Sequence, residues 1–144
     1  MVKPTNAIVL DSQNMHIQTL KVETATNMYA GRLVKKGTND DDVVVNTAGG
    51  AAVGILGYEQ TTKKHRPATV STIYVENAQA AVIWGPGIVW VATADAGCTP
   101  TKGMLMKAGA NGTLSGGTAG TDHIYAIAEE AGTAGNTFLA RSLF

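Results

Sequence analysis

Two stretches of the chain carry nearly the same phrase: Gly-Arg-Leu-Val-Lys-Lys-Gly-Thr-Asn (31–39) and Gly-Met-Leu-Met-Lys-Ala-Gly-Ala-Asn (103–111). At a constant offset of 72 residues the Gly, Leu, Lys, Gly and Asn positions coincide, and further on Val53 and Ile55 align with Tyr125 and Ile127. Both copies read as strand, glycine-containing turn, short strand, Gly-rich loop and apolar strand. We interpret them as one β-meander unit used twice in one barrel. The alternative is two unrelated hairpins that share turn residues.

The rest of the chain also predicts short strands separated by turns. It has 17 glycines and only 15% charged residues among its 144, and helical periodicity is almost absent. We therefore predict an all-β fold, a small β-barrel or β-sandwich, with an N-terminal arm (1–14) and a single domain (15–144). Gly85-Pro86-Gly87 predicts a tight hairpin between two strands. The predicted strands are 15–22, 32–36, 43–46, 52–57, 70–75, 80–84, 88–92, 104–107, 113–115, 124–128 and 137–143.

Charge and hydropathy argue against several classes of partner. Eleven basic and eleven acidic residues cancel, so the chain lacks the positive field that drives nonspecific binding to nucleic acid. No stretch approaches the roughly 20 apolar residues that span a bilayer, and the first residues do not resemble a signal peptide. We therefore expect no nucleic-acid or membrane partner, and we interpret the chain as unexported. The single cysteine, Cys98, excludes an intrachain disulfide.

No pattern of reactive residues predicts catalysis or a cofactor. Cys98 and His123 can be drawn as a nucleophile and base, but no motif supplies an oxyanion stabiliser, so a plain loop cysteine is the better interpretation. The three histidines lack zinc-ligand spacing, and Asp40-Asp41-Asp42 reads as a solvated turn rather than a calcium loop. The Gly-rich stretch at 49–54 lacks the Lys and Ser/Thr of a phosphate-binding loop. We expect no enzyme activity, no metal and no cofactor.

Two features could form a binding surface. Trp84 and Trp90 flank the Gly-Pro-Gly turn, where they could stack on a sugar or base, although their apolar surroundings favour a core or subunit interface. Lys63-Lys64-His65-Arg66 is the densest positive cluster and reads as an exposed loop that could contact an acidic partner surface.

Gly85-Pro86-Gly87-Ile88-Val89-Trp90-Val91, followed by the second copy of the phrase at 101–112, resembles the small capsid decoration, or cement, proteins of tailed viruses. The resemblance continues through Tyr125-Ala126-Ile127-Ala128-Glu129-Glu130-Ala131 and Thr137-Phe138-Leu139-Ala140 and covers roughly residues 28–144. These motifs are turns and strands without reactive residues. The resemblance implies a β-barrel or β-tulip-like domain that trimerises on the outside of an icosahedral head and clamps the major capsid protein.

From this resemblance we expect a virion protein on the capsid exterior, made in the host cytoplasm, that stabilises the major capsid protein lattice as a homotrimer. The N-terminal Ala-Ile-Val-Leu could add to a partner's sheet through backbone hydrogen bonds. Alternatives are a virion-surface module that binds a receptor or carbohydrate, an enzyme built on Cys98, and a minor shell or tail-tube component. The residues predicted to lie at capsid or subunit interfaces are Ala7, Ile8, Val9, Leu10, Lys63, Lys64, Arg66, Trp84 and Trp90.

Overall fold

The computed structural model describes residues 3–4 and 6–144. In this part of the chain the secondary structure consists of short strands and one 3-10 turn at Ala110–Gly112, which confirms the all-β prediction. The strands are β1 (Val9–Asp11), β2 (His16–Val22), β3 (Leu33–Lys36), β4 (Asp42–Val45), β5 (Gly54–Leu56), β6 (Gln79–Trp84), β7 (Val89–Thr93), β8 (Leu105–Ala108), β9 (Leu114–Gly116), β10 (Ala126–Ala128) and β11 (Thr137–Ser142).

The first half of the chain closes into a barrel of order β2-β4-β3-β5-β6. Its strands pair antiparallel except for β2 and β4, which run parallel through Lys21–Asp42 and Val22–Val43. The alternating apolar residues of these strands point inward, as the pleat requires. The barrel interior is filled by Leu20, Val22, Met28, Val34, Val43, Leu56, Tyr74, Ala78, Ala80 and Val82.

The second half forms most of a six-stranded sheet of order β1-β7-β11-β10-β8-β9. Its inner face carries a second core built around Trp90, Met106 and Phe138. The same core includes Leu33, Ile55 and Ile83, which come from strands of the barrel. The barrel and the sheet therefore pack against each other through the outward faces of β3, β5 and β6.

The internal repeat is confirmed by strand register. Leu33 pairs with Ile55 and Val34 with Gly54, and 72 residues later Leu105 pairs with Ile127 and Met106 with Ala126. The match extends to whole units, because β2 to β6 correspond in pairing order to β7 to β11. Even the parallel β2–β4 contact has a counterpart in a single parallel bridge between Ala94 and Leu114. Each copy thus builds its own sheet, so the prediction that both share one barrel was wrong.

Two further sequence predictions are corrected. β6 and β7 do not form a hairpin: β6 pairs with β2 and β5, whereas β7 pairs with β1 and β11. The Gly85–Gly87 turn instead passes the chain from the barrel to the sheet, with φ +127° at Gly85 and +86° at Gly87. Residues 70–75 are not a strand but part of a long connection between β5 and β6.

The predicted N-terminal arm includes a strand of the chain's own sheet. β1 pairs antiparallel with β7, and Ile8 is buried in the second core. The Val91 amide donates to the Ile8 carbonyl at 2.8 Å, which extends this pairing by one residue. Part of the predicted arm, residues 1, 2 and 5, lies outside the described residues.

Candidate interaction surfaces

The connection between β5 and β6 (57–78) is anchored to the barrel by Tyr74. Its side chain is fully buried, and its hydroxyl lies 2.7 Å from Thr61 Oγ1 and donates to the Gly57 carbonyl at 2.6 Å. Thr61 Oγ1 in turn accepts the Ala81 amide at 2.9 Å. Burial raises the pKa of the Tyr74 hydroxyl to about 12. The connection that contains Lys63, Lys64 and Arg66 is therefore held against the barrel by these hydrogen bonds.

The basic cluster divides into two exposed lysines and one structural arginine. Lys63 and Lys64 are exposed. Arg66 donates through Nη2 to the carbonyls of Glu59 and Thr61 at 2.9 Å each, and its guanidinium lies 5.5 Å from the centre of the Tyr58 ring. Arg66 thus serves to hold the loop closed, while the two lysines remain available to a partner.

The N-terminal segment is held against the same connection. The carboxylate of Glu59 accepts the amide of Ile8 at 3.1 Å through both oxygens and the amide of Val9 at 3.1 Å. The side chain of Ile8 is buried, whereas Ala7, Val9 and Leu10 are half-buried. Ile8 is therefore a core residue. Its neighbours retain partial exposure, at an edge strand whose backbone donors are partly satisfied by Glu59.

The two tryptophans lie in different environments and do not form a common platform. Trp90 is fully buried in the second core, and its indole nitrogen donates to the Gly31 carbonyl at 2.9 Å. Trp84 is half-buried and stacks on His16 with ring centres 5.6 Å apart. Trp90 is thus corrected to a core residue, because its ring has no surface to offer a ligand or a neighbouring protein.

The acidic turn 40–42 is only partly solvated, which corrects a sequence expectation. Asp40 and Asp41 are exposed, but Asp42 is buried at the start of β4. The Asn39 side-chain amide donates to Asp42 Oδ2 at 2.8 Å, and Lys21 Nζ lies 3.2 Å from Asp42 Oδ1. The hydrogen bond from Asn39 and the ion pair with Lys21 hold the pKa of the Asp42 carboxyl below its ordinary value of 3.8.

The structure offers no support for chemistry at Cys98. The thiol is buried in the second core, and no hydrogen bond joins it to His123 in the described part of the chain. His123 is exposed and leans on the Tyr125 ring at 4.4 Å. Among residues 3–4 and 6–144, no group of three or more His, Cys, Asp or Glu side chains could hold a metal ion. No helix in those ranges is both long and apolar enough to cross a membrane.

A cleft of about 520 Å³ lies between the corresponding loops of the two repeat copies. Gly49 to Ala52 line one wall, and Thr121 to His123, which match positions 49–51, line the other together with Tyr125. The Tyr125 hydroxyl crosses between them, because it donates to the Gly50 carbonyl at 3.1 Å and accepts the Ala52 amide at 3.0 Å. This contact ties the two copies together. Sequence analysis missed it, as it missed Glu59 and Tyr74, because no local pattern marks a long-range hydrogen bond.

Comparison with known proteins places these surfaces in context. The family described as structural cement protein (E217 gp24/Pam3 gp6) matches residues 7–141, which includes β1 and both repeat copies. Among solved structures, the N base of the head fiber protein gp8.5 of bacteriophage phi29 is similar. It has a TM-score of 0.60 and 14% identity, over 90% of this chain and 94% of that chain. At this identity the likeness concerns the fold. No curated protein sequence matches the chain.

Proposed function

Because the chain belongs to the phage structural cement protein family, which decorates and stabilises the virion capsid, we propose that its partner is the major capsid protein on the outside of the head. The match over residues 7–141 carries this proposal, since it spans β1 and both repeat copies. Binding of a folded clamp to assembled subunits, but not to dispersed ones, stabilises the assembly by mass action. Many equivalent clamps add modest contacts into a large resistance to disruption.

The proposed role is mechanical and does not involve enzymatic chemistry. The burial of Cys98 in the second core supports this. The zero net charge of the sequence supports a protein partner in preference to nucleic acid, and we propose no membrane partner. We also propose that the protein acts as a homotrimer, an expectation that comes from resemblance to decoration proteins and that the mass of the isolated protein tests directly.

Within this function, we propose that Lys63 and Lys64 face the capsid together with Ala7, Val9, Leu10 and Trp84. The exposure of both lysines on the anchored 57–78 connection supports this assignment. An exposed lysine contributes to the association rate and to its salt dependence when it faces an acidic surface. Lys102, exposed in the second half of the chain, provides a matched control position.

The experiment compares heads that lack the protein with heads to which purified protein has been added back. We expect the heads without it to release their DNA at a lower temperature, and addition of the protein to restore the release temperature. Lys63→Glu/Lys64→Glu should weaken rebinding and reduce its salt dependence, whereas Lys102→Glu should not. Equal heat resistance of heads with and without the protein would contradict the stabilising role. Equal rebinding of the three proteins would contradict only the assignment of the lysines.

A further inference from the structure

The first half of β2 is an open strand edge. β2 pairs with β6 from His16 to Lys21, but with β4 only at Lys21 and Val22. The Lys21 amide donates to the Asp41 carbonyl and the Glu23 amide to the Val43 carbonyl, so the backbone groups of odd-numbered residues point toward β4. Because this direction alternates along a strand, Ile17 and Thr19 point their N–H and C=O groups to the same side, beyond the start of β4.

This edge is exposed and bears none of the usual protection. All four residues from His16 to Thr19 are exposed, and Ile17 retains 51% of its surface. In the described ranges, no hydrogen bond involves the N–H or C=O of Ile17 or Thr19 on the open side. Proteins usually guard such edges with lysine, proline or a bulge. The stretch His-Ile-Gln-Thr contains no lysine, arginine, acidic residue or proline.

The second repeat copy shows what fits this edge. Trp90 pairs with Ala140 as Gln18 pairs with Val82, so Val91 occupies the place of Thr19 and Val89 that of Ile17. On β7 the corresponding edge is covered by β1, an antiparallel strand, and the Val91 amide donates to the Ile8 carbonyl at 2.8 Å. The covering strand has the sequence Ile8-Val9-Leu10-Asp11 and is mostly aliphatic. The edge of β2 therefore presents backbone groups in the same register as the edge of β7, but no strand of the described chain pairs with it.

We infer that the β2 edge, Ile17 to Thr19, accepts an antiparallel, aliphatic strand contributed by the capsid subunit. This inference rests on the proposed function. A second copy of this chain is disfavoured as the occupant, because its segment of the required kind, Ile8 to Leu10, already pairs with its own β7. Main-chain hydrogen bonds would provide affinity, as in other cases of strand addition.

Charge beside the edge specifies the partner strand further. The Asp41 carbonyl bonds to Lys21, so the exposed acidic pair Asp40 and Asp41 lies directly past Thr19. An antiparallel partner reaches this end of β2 with its own N-terminal end. A basic residue just before the aliphatic residues would therefore face the two carboxylates. The partner strand is consequently a Lys or Arg followed by two or three aliphatic residues.

The test measures binding of the full chain to heads that lack it, together with residue-resolved amide exchange. Ile17→Lys, which places a guarding charge on the edge, should weaken head binding at least about tenfold, because two or more backbone hydrogen bonds are lost. Val53→Lys is the matched control, since Val53 is also an exposed aliphatic residue, at 36%, and lies outside the 57–78 connection that carries Lys63 and Lys64. Asp40→Lys should also weaken binding, whereas Glu76→Lys, another exposed acid, should not.

Amide exchange provides a reading that does not depend on a variant. In the free protein the amides of Ile17 and Thr19 should exchange rapidly, and on heads they should become protected. Bound protein whose two amides remain unprotected, or normal binding by Ile17→Lys, overturns the inference and leaves the cement function intact. An Ile17→Lys variant that changes the mass of the free protein in solution would assign the edge to a second copy and also overturn it. Failure of the unmodified chain to bind heads would overturn both proposals.

Discussion

The two repeat copies have one pairing scheme, yet they close their sheets differently. In the first copy, β2 and β4 pair in parallel, and Tyr74 from the 57–78 connection is one of the side chains buried in the barrel interior. In the second copy, the corresponding connection is short (129–136), and the same closure is reduced to the bridge between Ala94 and Leu114. Trp90 and Phe138 fill its core, and β1 covers the edge of β7. One pairing scheme thus accommodates a closed barrel in which the first half of β2 keeps an unpaired edge, and an open sheet whose β7 is paired with β1 from the N-terminal segment.

A turn device is conserved between the copies in spite of these differences. Glu23 accepts the Thr38 amide at 2.7 Å, and Asp95, 72 residues later, accepts the Ala110 amide at 3.2 Å. Each carboxylate lies against a glycine, Gly37 or Gly109, where an added Cβ would come within 3.1–3.2 Å of a carboxylate oxygen. Close approach, and not a left-handed backbone, explains these two glycines. The same carboxylate-bound turn therefore occurs near the start of both copies. The copies differ in the 57–78 connection of the first and in β1, which pairs with the second.

The largest effect is expected from Trp90→Ala. It should destabilise the protein by about 3–5 kcal/mol, because it removes a fully buried ring and leaves the Gly31 carbonyl without its donor. Trp84→Ala is the matched control and should cost about 1 kcal/mol, since that ring is half-buried. Chemical denaturation measures both values. Similar losses for the two variants would mean that the second core does not depend on its tryptophan.

A second prediction compares equivalent glycines. Gly31 and Gly103 both adopt left-handed φ, at +89° and +85°. An added Cβ at Gly31 would overlap the Val91 carbonyl oxygen, whereas at Gly103 it would meet nothing within 4 Å. Gly31→Ala should therefore cost about 2–4 kcal/mol and Gly103→Ala about 1–2 kcal/mol. Equal losses by thermal unfolding would show that backbone conformation alone, and not packing between the copies, governs these positions.

The third prediction concerns the stability of the folded protein in alkaline solution, where the buried Tyr74 hydroxyl of the first copy can ionise. The pKa of Tyr74 is about 12 in the folded protein against 10.0 ordinarily, so the unfolded chain loses its proton first as pH rises. Stability should be fully present below pH 10 and fall by about 2–3 kcal/mol between pH 10 and 12. Tyr74→Phe should be less stable at neutral pH and should lack this part of the alkaline loss. A Tyr74→Phe profile parallel to that of the unmodified protein would contradict the assignment.

The smallest effect on stability is expected at Asp42, where β2 and β4 pair in parallel and close the barrel. The pKa of Asp42 is lowered in the folded protein, first by the hydrogen bond from Asn39 and then by Lys21. Its stabilising contribution is therefore present above the ordinary value of 3.8 and lost as pH falls through the lower folded value. Thr113 is its counterpart in the second copy, since the Gly37 amide donates to the Asp42 carbonyl and the Gly109 amide donates to the Thr113 carbonyl, and a threonine cannot titrate in this range. Asp42→Asn should flatten the acid limb of stability measured by denaturation between pH 5 and pH 2, and an unchanged limb would refute this role.

The sequence predicted local features well and long-range partners poorly. Alternating residues and turn glycines located most strands, and the shared phrase at Gly31 and Gly103 revealed the repeat, because both are properties of neighbouring residues. Val70 to Val75 looked like a strand but serves to bring Tyr74 into the barrel, a role decided by residues far away in the chain. Likewise, Trp84 and Trp90 occupy similar apolar runs. Only the pairing of strands that are distant in the sequence determines that Trp90 is buried and that Trp84 stays partly exposed.

The candidate surface follows the same rule. The exposure of Lys63 and Lys64 was readable from a polar stretch, whereas the role of Arg66 in closing its loop was not. The open edge at Ile17 and Thr19 has no sequence signature, because an edge strand and a central strand can carry the same alternation. It becomes visible only when β2 is set beside β7 and one of the two lacks a neighbour.

The exchange of contacts across the Gly85–Gly87 turn has a consequence for how the polypeptide could be divided. β1, from the N-terminal half, completes the sheet of the C-terminal half, and the Gly112 amide of the latter donates to the Asn46 carbonyl of the former. Neither half therefore contains all the strands and donors of its own fold. Cleavage at the exposed Pro86 should leave two fragments that fold only by docking together, so the two repeat copies form an interlocked pair in place of two separable modules.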